Sequence, residues 1–342
     1  MKKPKVLFIG GSLNQTTIAC AVARNLEQDY DCFFTPFYCD GGLLKALDDR
    51  GWLDFTVMGG KPRLQTEEYL RSHKLAVDYG GRENDYDLVV TLSDLVVQKN
   101  VRGKKLVLIQ EGMTDKETLL YYLVKSLRLP RYLASTATTG LSDAYDVFCV
   151  ASEGYRDLFV RKGIRPEKLV VTGIPNFDNA ASYLENDYPY KGYVLAATSD
   201  MRETFKYDNR SHFIRRALQI AAGRPLIFKL HPNENVERAT REIRTLAPQA
   251  LVYDGGCTNH MIANCDVLIT QYSSVVYIGL ALGKEVHSYF DVEELRGLTP
   301  IQNGGASARN IARVCRGLLA GERSWQPAPL HAAERRLAWL RR

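Results

Sequence analysis

Short apolar runs that stop at turn residues and pass into helix-length stretches recur along this chain. That alternation constrains the fold more tightly than any other feature of the sequence. The run from Lys5 to Asn14 ends in glycines and leads into a helical stretch over Thr16–Asp29. A continuous apolar run of this kind suits a parallel strand, which helices cover on both faces. Further strands are expected at Asp87–Leu92, Lys105–Ile109, Val147–Val150 and Lys168–Gly173, with a helix over Glu153–Gly163. The polar, turn-rich stretch Asn186–Gly192 reads as an interdomain linker. A second series of strands follows at Tyr193–Ala197, Pro225–Leu230, Ala250–Tyr253, Asp266–Thr270 and Lys284–His287, with helices over Asn209–Ala222 and Val236–Leu246. The pattern predicts an α/β fold of two doubly wound, Rossmann-like domains facing a central cleft. Residues 1–187 form the first, 188–320 the second, and a basic helix covers 321–342. The length of 342 residues agrees, since single domains run to about 150.

Composition narrows the function classes. With 45% hydrophobic and 25% charged residues the chain is not disordered. A net charge of +6 suits a polyanionic small ligand but falls short of a nucleic-acid-coating protein, so no nucleic-acid partner is expected. The seven cysteines form no Cys-x-x-Cys pair, which argues against zinc ribbons and thioredoxin-type sites. No apolar window approaches a membrane span of about 20 residues. The reading is a soluble, reduced, cytoplasmic protein.

Parallel sheets bind ligands beyond the carboxyl ends of their strands. At the first such end, Gly10, Gly11 and Ser12 match neither a dinucleotide fingerprint nor a Walker loop. Gly11 and Ser12 are candidates for acceptor or donor contact, and close strand–helix packing is the alternative. Gln110-Glu111-Gly112 follows another strand. Glu111 there suits a general base, although a capping or solvated carboxylate fits the same spacing. His231 and Pro232 follow a strand of the second domain, where an imidazole and helix amides make a phosphate site. Ser273 and Ser274 lie between a strand and a helix of small residues. They suit a phosphate grip or a plain N-cap. Thr198, Ser199 and Arg202 open the second domain with a phosphate-compatible turn and a charge partner. A bland surface loop is the competing reading. No Asp-x-Asp motif stands at a strand end and Asp48–Asp49 lies in a helical stretch, so no metal and no cofactor is expected.

The His231-Pro232 turn, the Ser273-Ser274 turn and the Glu111-Gly112 turn together resemble the GT-B glycosyltransferases, especially those that use cytidine nucleotides. These are the bacterial sialyltransferases and polysialyltransferases, the capsule Kdo transferases and the CDP-glycerol glycerophosphotransferases. The resemblance spans Tyr193–Cys315 best, and the first domain only through Gln110–Gly112. It implies that His231, Ser273 and Ser274 hold the donor phosphate and that Glu111 is the catalytic base. Gln110 departs from the acidic first position of the sialyltransferase motif. The segment Asp266–Ser274 is close to the glycerophosphotransferases, which carry His-Gly where this chain has Glu111-Gly112. UDP-N-acetylglucosamine 2-epimerases share a segment similar to His231-Pro232-Asn233, but they show Ser-Gly-Gly where this chain has Ser273-Ser274-Val275.

The resemblance therefore implies an inverting glycosyltransferase that moves a sugar from a CMP-activated donor, of sialic acid or Kdo type, onto a hydroxyl of a glycan or lipid-linked glycan. Glycerophosphate transfer from CDP-glycerol and UDP-sugar 2-epimerisation are the alternatives. In this fold the acceptor pocket falls to loops such as Phe34–Asp40 and Gly59–Thr66. The segment Leu330–Arg342, apolar at Ala333, Leu337 and Leu340 and flanked by arginines, suits peripheral contact with the inner membrane face; packing against the body is the other reading.

Overall fold

The computed structural model describes residues 3–42, 45, 50–51, 58–203 and 207–322. The chain begins with β1 (Lys5–Gly10), α1 (Leu13–Ala23), β2 (Asp31–Pro36), α2 (Gly60–Ser72), β3 (Leu88–Thr91) and β4 (Lys105–Ile109). Then come α3 (Leu119–Leu127), β5 (Val147–Val150), α4 (Glu153–Arg161) and β6 (Leu169–Val171). A second series follows: β7 (Tyr193–Ala197), α5 (Arg210–Ala221), β8 (Leu226–Lys229), α6 (Val236–Leu246), β9 (Leu251–Tyr253) and α7 (Thr258–Asn264). It continues through β10 (Cys265–Thr270), α8 (Val276–Ala281), β11 (Glu285–His287) and α9 (Val292–Leu298), and α10 (Ser307–Ala320) ends it.

Six strands pair in the order β2-β1-β3-β4-β5-β6, and five in the order β11-β10-β7-β8-β9. Every neighbouring pair is parallel. All carboxyl ends of a sheet therefore lie along one edge, and the winding reverses between β1 and β3 and between β7 and β10. Those reversals are where open α/β sheets accept ligands. The strands are made of buried Val, Leu and Ile, as two-sided burial requires: β3 and β7 are buried along their whole length. In the second sheet the core is Val194, Ala196, Phe228, Val267 and Ile269 against Phe213, Ile214 and Ala217 of α5 and Ile243 of α6.

The chain divides into two compact units, one running to Asp178 and resuming at Gly305, the other Asn179–Gly304. The division expected at 187/188 thus falls at 178/179, and residues 305–320 belong to the first unit. Turn-rich composition at Asn186–Gly192 signalled a surface connection inside the second unit. It carries no information about which core a later helix joins. Ile311, Ala312 and Cys315 of α10 are wholly buried, and α10 packs on α1 and β4. Arg316 adds an ion pair to Asp29 at 3.3 Å. Two segments expected as loops are regular: Phe34–Pro36 complete β2, and α2 begins at Gly60. Neither carries a strong pattern, because β2 is a half-exposed edge strand and α2 buries only Thr66 and Leu70. Thr204, Asp48–Asp49 and Leu330–Arg342 lie outside the described residues.

The crossing between units is tied down within the first. The Ser307 N–H donates to the Asp178 carboxylate at 2.9 Å. Burial raises the Asp178 carboxyl above its usual range, and the Ser307 donors offset this only in part. From about pH 4 upward the native chain then keeps a proton that the unfolded chain has lost, so this group's contribution to stability falls as pH rises through that window. Asp178→Asn keeps an oxygen acceptor for Ser307, and it should flatten the decline in urea midpoints between about pH 4 and 7.

Gly279 sets the approach of α8 to its sheet. A Cβ there would stand 2.6 Å from Leu268 Cδ2 and 3.2 Å from Val286 Cγ2. Gly279→Ala should cost about 1–3 kcal/mol through overpacking, measured by urea denaturation.

Candidate functional site

The carboxyl edge of the first sheet carries the carboxylate of Glu111. Glu111 follows β4, and three donors from the β1–α1 turn hold it. The Ser12 hydroxyl and Asn14 Nδ2 donate to Oε1 at 3.1 and 3.2 Å, and Gln15 Nε2 donates to Oε2 at 2.6 Å. Each donor is itself positioned. The Ser12 oxygen also caps α1 by accepting from the Gln15 N–H. Gln15 Oε1 accepts from the Gly11 N–H at 2.7 Å. Asn14 Oδ1 accepts from Asn176 Nδ2 at 2.5 Å, which leaves its amino group for Glu111. The carboxylate is thus oriented by neutral groups, remains half-buried, and has no ion pair among the described residues.

Gln110 plays a different part. It is wholly buried, its Oε1 accepts from the Ala151 N–H at 2.9 Å, and its Nε2 donates to the Gly112 carbonyl at 2.8 Å. An acid at this position would lack the second donor, which accounts physically for glutamine there. Gln110 shapes the turn that carries Glu111. Asp94, after β3, is a second acid near this edge. It is buried and accepts from the Gly140 and Ser142 N–H groups at 2.9 and 3.0 Å.

In the second unit the ends of β8, β7 and β10 stand side by side. His231 follows β8, Thr198 and Ser199 follow β7, and Ser273 and Ser274 follow β10. With strands about 4.8 Å apart, the two outer turns lie on one edge about 10 Å apart. Beneath them runs a buried network. Glu234 accepts from the Thr198 hydroxyl, from the His231 N–H at 2.9 Å and from Arg210 Nη2 at 2.6 Å. Arg210 Nε donates to Asp208 at 3.0 Å, and Asp208 accepts from Gln271 Nε2 at 2.6 Å. Gln271 Oε1 in turn accepts from the Ser199 hydroxyl at 2.8 Å, across the reversal point of the sheet.

This assignment moves several expected ligands into the scaffold. Thr198 and Ser199 are nearly fully buried, with their hydroxyls engaged. Arg202 forks onto Glu242 at 2.9 and 2.8 Å, bonds that raise the guanidinium and lower the carboxyl from their usual ranges. Its charge is already matched. Lys229 donates to the Leu230 and Asp254 carbonyls at 2.8 and 2.9 Å, and burial lowers its ammonium below the usual lysine range. Pro232 is exposed beside His231.

Three groups remain outward and without protein partners among the described residues: the hydroxyls of Ser273 and Ser274 and Nε2 of His231. Neither serine caps α8, whose first turn is preceded by Val275 in helical conformation. The Asn233 N–H donates to His231 Nδ1 at 3.2 Å, and an Asp200 carboxylate oxygen lies 3.7 Å from the same nitrogen, which leaves Nε2 as the ring nitrogen open to a ligand. Sequence reasoning passed over Asn14, Gln15, Asn176, Asp208, Arg210, Glu234 and Gln271, all of which position the groups above.

No protein-family model and no curated protein matches this sequence. Solved structures do. One is a UDP-N-acetylglucosamine 2-epimerase with 13% identity and a TM-score of 0.56, over 95% of this chain and 99% of that one. The Neisseria meningitidis UDP-GlcNAc 2-epimerase bound to UDP-GlcNAc gives 13% and 0.54, over 91% and 99%. The wall teichoic acid polymerase TagF soaked with CDPG gives 12% and 0.50, over 93% and 90%. The chain has a GT-B-like fold. At these identities the likeness is one of fold alone, and a GT-B-like pair of parallel sheets is common ground for epimerases and polymerases.

Removing Glu234 takes from the buried Arg210 one of its two carboxylates and from the His231 N–H its carboxylate acceptor. Glu234→Ala should destabilise the second unit by about 3–5 kcal/mol, seen as an earlier urea transition. Arg202→Ala, at a more exposed pair, should change stability by about 1 kcal/mol or less.

Proposed function

We propose that this chain is a nucleotide-dependent transferase whose second unit holds the donor phosphates and whose first unit supplies the base. One observation carries the reading. At the reversal point of the second sheet the carboxylates of Glu234 and Asp208 and the hydroxyls of Thr198 and Ser199 are engaged beneath the turns, while the hydroxyls of Ser273 and Ser274 and Nε2 of His231 have no protein partner among the described residues. Such neutral donors suit the oxygens of a phosphate group and the charge that gathers on it as it leaves.

The step assigned to the first unit is deprotonation. Glu111 takes the proton of an acceptor hydroxyl as its oxygen attacks. With a sugar nucleotide the new bond forms at the anomeric carbon, the carbon–oxygen bond to phosphate breaks, and the nucleotide leaves with the electron pair. With CDP-glycerol the attack falls on the glycerol-bearing phosphorus and CMP leaves. Ligands named with the matched structures are UDP-GlcNAc and CDPG, so they favour a diphosphate-linked donor over the CMP-linked sugar that the motifs imply. Glu111 and its three donors support sugar or glycerophosphate transfer onto a hydroxyl.

Epimerisation of a UDP-sugar is the second reading, favoured by the epimerases among the matched structures. It needs further acid–base groups around the sugar. Asp94, a second acid at that edge, is tied to two backbone amides.

Glu111→Gln should lower kcat by about 10²–10⁴ and leave nucleotide affinity unchanged by calorimetry. His231→Ala should weaken nucleotide diphosphate binding by about 10–100-fold. A panel of CMP-, CDP- and UDP-linked donors, assayed for the nucleotide released, separates the transfer readings, and solvent deuterium at C2 of a UDP-sugar marks the epimerase. Unaltered affinity in His231→Ala with unaltered turnover in Glu111→Gln would overturn the proposal.

A further inference from the structure

Helix α3 carries large apolar side chains on both its buried and its exposed sides. Tyr121 and Val124 point inward and are buried against Ala134 and Ala137. On the opposite side Leu119 is 77% exposed, Leu127 64% and Tyr122 54%, and Leu120 and Leu123 are exposed beside them. The patch continues past the helix through Leu129, Tyr132 and Leu133, all exposed. A surface helix ordinarily turns charge to the solvent, and exposed large apolar side chains gathered in one segment mark a docking surface.

The charges at its border select the partner. Lys125, Arg128 and Arg131 fall between Leu119 and Leu133, which holds no acid; Asp115 and Glu117 come just before it. Glu117 lies 4.0 Å from the buried Lys162 ammonium and accepts from the Tyr122 hydroxyl at 3.0 Å. Arg131 donates to the Asp94 carbonyl and Lys125 to the Lys162 carbonyl, so neither cation is neutralised by a carboxylate. Among the described residues Arg128 has no acidic partner.

We infer that α3 and the segment through Leu133 form a membrane-docking surface that seats on an anionic phospholipid bilayer. Leucines and tyrosines enter the boundary between headgroups and acyl chains, and the cations meet lipid phosphates. A second copy of the chain fits less well, because an isologous contact through this patch sets Arg128 and its neighbours against the same cations. Neither point depends on the transfer reading. This surface lies in the described part of the first unit and is formed by a different stretch of sequence from Leu330–Arg342.

The test is flotation of the full-length chain with phosphatidylcholine vesicles, with and without phosphatidylglycerol, beside sedimentation without lipid. The expected result is flotation that requires phosphatidylglycerol. Leu119→Ser with Leu127→Ser should weaken the partition about tenfold or more, and Arg128→Glu about fivefold or more. These positions are exposed, so unchanged circular dichroism and melting temperature should accompany the loss. Three results would overturn the inference: wild-type chain that stays unbound, variants that float as well as wild type, or a lipid-free dimer that the leucine substitutions split. Flotation unaffected by the variants would assign membrane contact to another segment, and the outcome leaves the transferase assays untouched.

Discussion

Parallel pairing is the constraint on which everything else in this protein rests. Two neighbouring parallel strands cannot be joined by a tight hairpin, so every strand must be followed by a crossover that returns to the opposite edge. The consequence is geometric. All turns that leave strand carboxyl ends gather on one edge, whatever their separation in sequence. Glu111 meets Ser12, Asn14 and Gln15 because β1 and β4 end on the same side with only β3 between them. His231 and Ser273 flank the β7 turn for the same reason.

Bringing turns together is not enough to aim their side chains. In the second unit that task falls to a buried cluster in which Glu234 and Asp208 share Arg210. Charges held out of water in this way are costly unless each is hydrogen-bonded. Here the carboxylates also take up the Thr198 hydroxyl, the His231 amide and the Gln271 amide, so three strand ends become one rigid body. The groups left without a protein partner at these turns, among the described residues, are two serine hydroxyls and one imidazole nitrogen. The arginine expected as the charge partner, Arg202, serves instead to neutralise Glu242.

Much of this was legible in the chain. Strand cores such as Leu88–Thr91 and Tyr193–Ala197 announce themselves because two-sided burial demands unbroken apolar runs. The candidate site was legible where glycine, proline or paired serines follow such a run, as at Glu111-Gly112, His231-Pro232 and Ser273-Ser274. What stayed hidden has a common cause. β2 is a half-exposed edge strand and α2 buries only two residues, so neither leaves a periodic trace. α10 looks like a continuation of the second unit, because amphipathicity says that a helix packs without saying on what. Gln15 and Asn176 read as ordinary surface amides until the turn at Glu111 closes upon them.

The sequence by itself determined the α/β class, the doubling of the unit and the short list of turns where chemistry is feasible, because these follow from local burial patterns and turn residues. Only the tertiary structure decided which polar side chains face outward and which are locked inward. It also decided that the chain returns to its first unit at Gly305, and that among the described residues nothing covers the apolar face of α3. Those outcomes depend on pairings between residues far apart in the chain. A hydroxyl or a leucine is the same letter whether a neighbour satisfies it or leaves it exposed.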